Sequence, residues 1–246
     1  MWISRSSPTP DRGARVPDGV RVYAIGDIHG RADLLDQVFR RIDADLAGKP
    51  VQRAIQVLLG DYIDRGPGSR EVLDLLIKRR RSHETVCLKG NHETFVGDFL
   101  ANPSLLEEWR RYGGLETLMS YGLAPSIKGG AAEQASLAAA FARALPAEHR
   151  ELLAGLDASF ACGDFFFVHA GVRPRVALAR QDEHDLMWIR EDFLLHEEDF
   201  EKIVVHGHTP VAEPDVRSNR INIDTGAYAT GQLTCLTIEA DELMFL

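Results

Sequence analysis

Acidic, amide and imidazole side chains recur along this chain, each soon after a short apolar run that predicts a buried strand. They stand in glycine-flanked motifs: Gly26-Asp27-Ile28-His29-Gly30, Gly60-Asp61-Tyr62-Ile63-Asp64-Arg65-Gly66, Gly90-Asn91-His92-Glu93, His169-Ala170-Gly171 and His206-Gly207-His208. In an open α/β sheet, the functional crevice lies outside the carboxyl ends of the strands. The pattern therefore predicts that these side chains converge at one edge of a sheet.

Metal-assisted hydrolysis is the chemistry that these residue types fit. A single buried Asp or His at a strand end is more often a cap or a hydrogen-bonded core residue, but five such sites in order indicate a shared role. Two divalent cations ~3.5–4 Å apart can clamp the attacking and leaving oxygens of a phosphate ester. Such a pair needs a bridging carboxylate, and Asp61 is the best candidate. All candidates offer oxygen or nitrogen ligands rather than thiols, which suits divalent cations of this kind.

The five motifs resemble those of the metallophosphoesterases, and specifically the phosphoprotein phosphatase family. This family includes the bacterial and phage serine/threonine phosphatases and the calcineurin-like domain. The resemblance covers residues 20–240 and implies an α/β fold, with a central β-sandwich flanked by helices and a dinuclear site at its edge. The residues alone predict only a parallel sheet in the first half, from their β–α–β–α–β order.

The same resemblance implies which residues bind the two metals. They are Asp27 and His29 for the first metal, Asp61 as the bridge, and Asn91, His169 and His208 for the second. His206 stays open between a ligand and a residue behind the ligands, and we favour the second. The expected cofactors are two divalent ions, manganese first, with iron or zinc as alternatives.

The substrate side of the site also follows from the resemblance. Asp64 and His92 match the pair in which the Asp orients a His that protonates the leaving group. Four residues are candidates for binding the substrate phosphate: Arg65, Arg190, Asn91 and Lys89. Arg190 has the alternative of being an ordinary arginine in an acidic segment. Lys89 replaces an arginine of some relatives and could contact phosphate only as a point charge.

We expect hydrolysis of phosphate monoesters by in-line attack of a hydroxide held by the two metals. The expected substrate is a phosphoprotein carrying phosphoserine, phosphothreonine or phosphotyrosine, or a small phosphate ester. The alternative is a symmetrical diadenosine tetraphosphate hydrolase, whose motif continues like Gly66-Pro67-Gly68-Ser69 here. That branch typically lacks the aspartate matching Asp64 and has Asp in place of Glu93, so the phosphatase is favoured. A non-catalytic binding module is a third hypothesis, but it should have lost a ligand, and none is missing.

Hydrophobic periodicity predicts the elements that position these residues. The predicted strands are 20–25, 54–59, 85–88, 165–168, 203–205, 221–223 and 233–238, and the predicted helices are 31–46, 69–81, 105–112, 115–121, 133–145 and 147–156. Residues 1–19 are expected to form a flexible tail before one domain over 20–246. Residues 95–160 are expected to be a helical cap or lid on that domain.

Composition excludes several other functions. A net charge of −9 over 246 residues argues against binding nucleic acid through a broad basic face, so an anion site needs local positive charge. Cys87, Cys162 and Cys235 are expected to be buried and reduced. We find no targeting segment and no apolar run of the ~20 residues that a membrane helix needs, so a cytoplasmic protein without membrane contact is expected. The sequence predicts no oligomeric state.

Overall fold

The computed structural model describes residues 13–126 and 130–246. Its strands are β1 (Val20–Ile25), β2 (Arg53–Leu58), β3 (Thr85–Cys87), β4 (Ser159–Cys162), β5 (Phe165–Val168), β6 (Ile203–His206), β7 (Asp215–Val216), β8 (Arg220–Asn222), β9 (Cys235–Glu239) and β10 (Glu242–Phe245). They form two sheets, ordered β10-β9-β1-β2-β3 and β4-β5-β6-β8-β7. Strands β1, β2 and β3 are parallel, as are β5, β6 and β8. Strands β9 and β10 pair antiparallel on the β1 side of the first sheet, and β4 and β7 pair antiparallel at the two edges of the second.

The two sheets pack face to face and confirm the β-sandwich that the family resemblance implied. Val22 and Val57 of the first sheet share one buried cluster with Phe165, Val205 and Ile221 of the second. All five side chains are fully buried. Strand β1 is buried on both faces, which explains why it is apolar or aromatic except at Arg21, whose charge is paired with Asp45 and Glu239.

Helices cover the outer faces of the sandwich. They are α1 (Ala32–Gly48), α2 (Ser69–Arg80), α3 (Asn91–Ala101), α4 (Leu106–Arg111), α5 (Gly114–Ser120), α6 (Ala131–Ala144), α7 (Ala147–Ala154), α8 (Glu183–Trp188), α9 (Glu191–Leu194) and α10 (Ala227–Thr230). The buried face of α1 consists of Leu35, Val38, Phe39 and Ile42, at helical spacing. These residues join Tyr23 of β1 in the outer core of the first sheet. The α/β class with flanking helices is therefore confirmed.

Several predicted elements differ from the observed ones at their ends. Helix α1 begins at Ala32 and ends at Gly48, two residues beyond the predicted end at residue 46. The predicted helix 105–112 is divided into a 3₁₀ turn over Pro103–Leu105 and the shorter α4. The strands β4, β7 and β10 were not predicted, because they are short and partly exposed and so lack a clear apolar run. The third motif itself opens a helix, α3, at Asn91.

The helical segment 95–160 packs onto the main core. Phe99, Trp109 and Phe141 are fully buried there, in one cluster with Leu76 of α2. Its action as a lid stays a prediction. Of the predicted tail, residues 1–12 lie outside the described part, whereas Val16 is fully buried and its N–H donates to the carbonyl of Ala240.

The sequence predicts buried, reduced cysteines and no membrane-spanning helix. Cys87, Cys162 and Cys235 are buried and unpaired. Among residues 13–126 and 130–246, no helix has the length and apolar character needed to cross a membrane.

Candidate active site

The carboxyl ends of strands from both sheets meet at one edge of the sandwich. The polar side chains that follow these ends are Asp27 and His29 after β1, Asp61 after β2, Asn91 after β3, His169 after β5, His208 after β6 and Asp224 after β8. Each is at most 6% exposed. The structure thus brings together all six residues predicted as metal ligands, and it adds Asp224.

Backbone strain is concentrated in the same loops. Among the described residues, seven other than glycine have a positive φ angle, and five of these belong to the candidate site: His29, Asp61, Asp64, Arg65 and His208. A non-glycine residue in this region costs about 1–3 kcal/mol and persists only where the surroundings hold it. Strain of this kind collects at functional sites, so it supports a built site at this edge.

Asp61 lies between two groups of potential ligands. Its Oδ2 is 3.4 Å from Nε2 of His29, and its Oδ1 is 3.4 Å from Nε2 of His169. Each carboxylate oxygen therefore faces a different histidine, as a residue that bridges two cations requires. Burial opposes ionisation of Asp61, but the surrounding histidines outweigh burial and hold its pKa below the ordinary value.

The second group surrounds His169. Its Nε2 is 3.1 Å from Oδ1 of Asn91 and 3.2 Å from Nδ1 of His208. Its Nδ1 is 2.9 Å from the carbonyl of Leu59, to which it can donate, leaving Nε2 free to bind a metal. Together with Asp61, His169 and His208 form a group whose ligand atoms could hold one ion.

The first group consists of His29, Asp61 and His92, whose ligand atoms could hold one ion. Asp27 is not a member of this group, but it is the other ligand expected on this side. Nδ1 of His29 is 2.9 Å from the carbonyl of Ile63, which again leaves Nε2 toward Asp61. Oδ2 of Asp27 accepts the backbone N–H of His208 at 3.0 Å, whereas its Oδ1 is buried without a hydrogen-bond partner. A bound cation would satisfy this oxygen, which is otherwise costly to bury.

The electrostatics favour metal-binding forms of the histidines. Burial lowers the pKa of His29 to about 3 and that of His208 to about 2. Burial also lowers the pKa of His169. The imidazoles are therefore neutral near pH 7, and a metal need not displace a proton from them.

Two glycines make room for the carboxylates. A Cβ atom on Gly90 would lie 2.2 Å from Oδ1 of Asp61, and one on Gly207 would lie 2.0 Å from Oδ1 of Asp27. Any side chain at these positions would displace a candidate ligand. Glycine is therefore required by the site, in addition to its role in the turns.

Asp64 and His92 form a buried pair at the centre of the site. Nδ1 of His92 is 2.7 Å from Oδ2 of Asp64. Asp64 also accepts hydrogen bonds from Nε1 of Trp109, at 2.8 Å, and from Oγ1 of Thr117, at 2.5 Å. These donors hold the carboxylate in one orientation, so the free Nε2 of His92 points toward Asp61, whose Oδ2 is 3.8 Å away. Burial opposes charging of His92, but Asp61 and Asp64 outweigh it and raise its pKa.

The arginines lie at different depths. An Nη atom of Arg65 is 3.3 Å from Nε2 of His92, and the guanidinium lies 4.7 Å from the ring centre of Tyr228. Arg190 is exposed and reaches Oγ1 of Thr209 at 3.5 Å. Arg65 is therefore placed beside the general-acid candidate, and Arg190 lies at the rim.

Lys89 and His206 occupy different surroundings from those of the ligands. Nζ of Lys89 pairs with Glu183 of α8 at 3.0 Å, so its charge is already compensated, and a contact to phosphate stays a prediction. His206 is fully buried with its ring 4.9 Å from that of Phe193, and it belongs to neither ligand group found in the described residues. Its Nε2 is buried without a hydrogen-bond partner, and its role behind the ligands stays a prediction.

Four functional residues escaped the sequence analysis or were undervalued in it. Glu93 served only to compare subfamilies, yet its carboxylate accepts the backbone N–H groups of Asp61, Tyr62 and Gly90 and so ties two motifs together. Trp109 and Thr117 lie in the segment expected to be a lid, and no local pattern marks them. Asp224 had a usable signal, because it follows the strand predicted at 221–223 as the other ligands follow theirs.

Comparisons with known proteins agree with this geometry. The model of the family described as calcineurin-like phosphoesterase matches residues 20–235. The chain is 28% identical to asymmetrical bis(5'-nucleosyl)-tetraphosphatase PrpE of Anoxybacillus flavithermus, over 86% of this chain and 88% of that protein. It is 40% identical to a putative serine/threonine-protein phosphatase of Schizosaccharomyces pombe, but over only 30% of this chain and 22% of that protein.

Solved structures share the fold. A putative diadenosine tetraphosphatase superimposes with a TM-score of 0.60 at 19% identity, covering 96% of this chain and 95% of that one. The cold-active protein-tyrosine phosphatase of a Shewanella species gives 0.59 at 17% identity, covering 97% and 82%. The family model spans nearly the whole chain, so this chain belongs to the calcineurin-like phosphoesterase family and is a hydrolase of phosphoric esters.

Proposed function

We propose that this chain removes phosphate from phosphorylated protein side chains, phosphoserine and phosphothreonine first and phosphotyrosine also, with two bound divalent cations. The observation that carries the proposal is the Asp64–His92 pair, 2.7 Å apart and buried beside Asp61. A histidine oriented in this way can donate a proton to a strongly basic leaving group, and the alkoxide of serine or threonine is such a group.

The residues at the strand ends fit two cations. Asp27, His29 and Asp61 would hold the first, and Asp61, Asn91, His169 and His208 would hold the second. When bound, the pair would supply positive charge that lowers the pKa of water and polarises the phosphoryl group. The oxygen and nitrogen donors suit manganese, and also iron or zinc. The unpartnered oxygen of Asp27 and the position of Nδ1 of His208, 3.2 Å from Nε2 of His169, support this assignment.

The substrate phosphate is proposed to lie between the metal ligands and Arg65. The guanidinium of Arg65 stacks on Tyr228, which limits its freedom and leaves its N–H groups available to phosphate oxygens. Arg190 approaches from the rim and adds a second positive charge. Asn91 can contact both a metal and the substrate. Lys89 contributes only if it leaves its pair with Glu183.

Proton transfer is proposed to run through His92. Nδ1–H donates to Asp64, and in the imidazolium form Nε2 carries the second proton, which faces the site. As the bond between phosphorus and the leaving oxygen breaks, that oxygen takes the proton from Nε2. Asp64 accepts hydrogen bonds from Trp109 and Thr117, which hold it in place. It stabilises the imidazolium before the transfer.

A second candidate function is asymmetrical cleavage of dinucleoside tetraphosphates. The relatives that match nearly the whole chain, including that of Anoxybacillus flavithermus, bear this name, which favours an asymmetrical reaction over the symmetrical alternative considered from the sequence. In this reaction the leaving group is a polyphosphate, which is a weak base and needs general acid catalysis less. The pair of Asp64 and His92 therefore favours the phosphomonoesterase.

A substrate panel decides between the two. Phosphoserine, phosphothreonine and phosphotyrosine peptides are compared with diadenosine tetraphosphate in the presence of manganese, and nucleotide products are separated by chromatography. We expect kcat/KM for a phosphopeptide to exceed that for the dinucleotide. Faster cleavage of the dinucleotide, into a triphosphate and a monophosphate, would overturn the proposal in favour of the second function. Asp61→Asn, prepared in parallel, controls for contaminating phosphatases.

A further inference from the structure

Asp224 occupies a ligand position that the predicted set does not include. Strands β6 and β8 are parallel, and His206 pairs with Asn222. His208 and Asp224 each lie two residues beyond that pair, so they stand at equivalent places at the same edge. Asp224 is 2% exposed, and its Oδ1 accepts the backbone N–H of Gly226 at 2.9 Å.

Asp224 and Asp27 lie on either side of Gly207. A Cβ atom built on Gly207 would lie 2.0 Å from Oδ1 of Asp27 and 3.6 Å from Cβ of Asp224, so Gly207 separates the two acids. Oδ1 of Asp27 is the buried oxygen without a hydrogen-bond partner. The unsatisfied atom therefore lies on the side of the site where Asp224 stands.

The charge around the first metal site and the number of its protein ligands both indicate a role for Asp224. Asp27, Asp61 and Asp224 place three buried carboxylates close together, and burial of unpaired charges is costly. Burial raises the pKa of Asp27, and the neighbouring carboxylates of Asp224 and Asp61 raise it further. The proposed ligands are also uneven, because the second cation has four protein ligands and the first has three. A further negative charge beside Asp27 would compensate for the missing ligand.

We propose that Asp224 is an additional acidic residue of the first metal site, where its carboxylate selectively raises the affinity for the cation held by Asp27, His29 and Asp61. The inference rests on the proposed function in that it requires both cations to bind. It assigns a metal-binding role to a residue outside the six predicted ligands.

Manganese binding to the metal-free protein, measured by calorimetry and by elemental analysis after dialysis, tests the proposal. Asp224→Asn keeps an acceptor for the N–H of Gly226 but removes the charge, whereas Asp224→Ala removes both. We expect both variants to weaken one of the two binding events by about 10–100-fold, the usual effect of residues that support a metal site. If Asp224 has only a structural role, Asp224→Asn will bind both ions as the wild type does, and the proposal is overturned.

Two double variants test which of the two metal sites loses affinity when Asp224 is replaced. His208→Asn damages the second site. Adding Asp224→Asn to this variant should weaken binding of the remaining manganese ion by at least tenfold. In Asp27→Asn, which damages the first, the same addition should change the remaining affinity less than twofold. Equal effects in the two backgrounds would contradict selectivity for the first site. Circular dichroism of each metal-free variant establishes that it is folded.

The outcomes also separate this inference from the proposed function. If the wild type binds two manganese ions and Asp224→Asn binds them with the same affinity, only the role of Asp224 is refuted. A wild-type chain that binds one ion or none refutes the two-metal mechanism, and the inference with it.

Discussion

Replacement of His92 by asparagine should slow hydrolysis in proportion to the basicity of the leaving group. His92 is 1% exposed, its Nδ1 is bound to Asp64 at 2.7 Å, and its Nε2 faces Asp61. Asparagine fills part of the same volume but cannot act as an acid. The alkoxide of phosphoserine needs its proton in the transition state, whereas p-nitrophenolate is a weak base and leaves nearly unaided.

The size of the effect follows from the geometry of the pair. General acid catalysis by a positioned side chain contributes about 10²–10⁴-fold. With about 1.4 kcal/mol for each factor of ten, the loss for a phosphoserine peptide is about 3–5 kcal/mol of transition-state stabilisation. For p-nitrophenyl phosphate we expect a loss of no more than about tenfold. Asp64→Asn should show the same selectivity more weakly, because Asp64 acts through His92.

The assay measures kcat/KM for both substrates with one preparation of each variant. Thr117→Val is a matched variant, since it removes the hydroxyl that donates to Oδ1 of Asp64 and accepts the backbone N–H of Asp64, without replacing His92 or any candidate metal ligand. It should fall between wild type and Asp64→Asn for the peptide. Metal content is determined in parallel, because His92 lies close to Asp61 and its loss could disturb the cations.

An equal loss of rate for the two substrates, with both metals retained, would refute the reasoning. His92 would then position phosphate or support the metals without donating a proton. If a variant loses both rate and metal, the two substrates are compared again at saturating manganese. The ratios of variant to wild-type kcat/KM are interpreted only from that comparison.

Three further predictions follow from the same site and its support. Asp61→Asn should reduce kcat/KM more than Arg65→Ala, for which about 10²–10³-fold is expected from one lost electrostatic contact, and comparable losses with metal retained would contradict the bridging role. Gly207→Ala should lower manganese affinity, because its methyl group would meet Oδ1 of Asp27 at 2.0 Å; unchanged binding in calorimetry would show that this loop adapts. Phe141→Ala should lower the free energy of unfolding by about 3–5 kcal/mol, measured by urea denaturation, since this ring is fully buried among aromatic neighbours.

Local sequence was sufficient to locate the candidate metal ligands. Asp27, Asp61 and His169 each follow an apolar run, and parallel strands place their carboxyl ends together whatever the details of packing. The same logic applies to Asp224, which directly follows the apolar run 221–223 but stands outside the glycine-flanked motifs. The sandwich, in contrast, was implied by resemblance, since strands of the second sheet pair with partners far along the chain and carry no local mark of it.

The sequence by itself determined the strand ends, the glycines beside them and the residue types that suit a pair of divalent cations, because these depend on short-range periodicity and on side-chain chemistry. Only the tertiary structure decided which side chains hold the catalytic pair. Trp109 and Thr117 reach Asp64 from 45 and 53 residues away, and Glu93 joins two loops through three backbone N–H groups. Such contacts are made by the packing of helices α3 to α5 against the sheet, and no spacing in the chain encodes them.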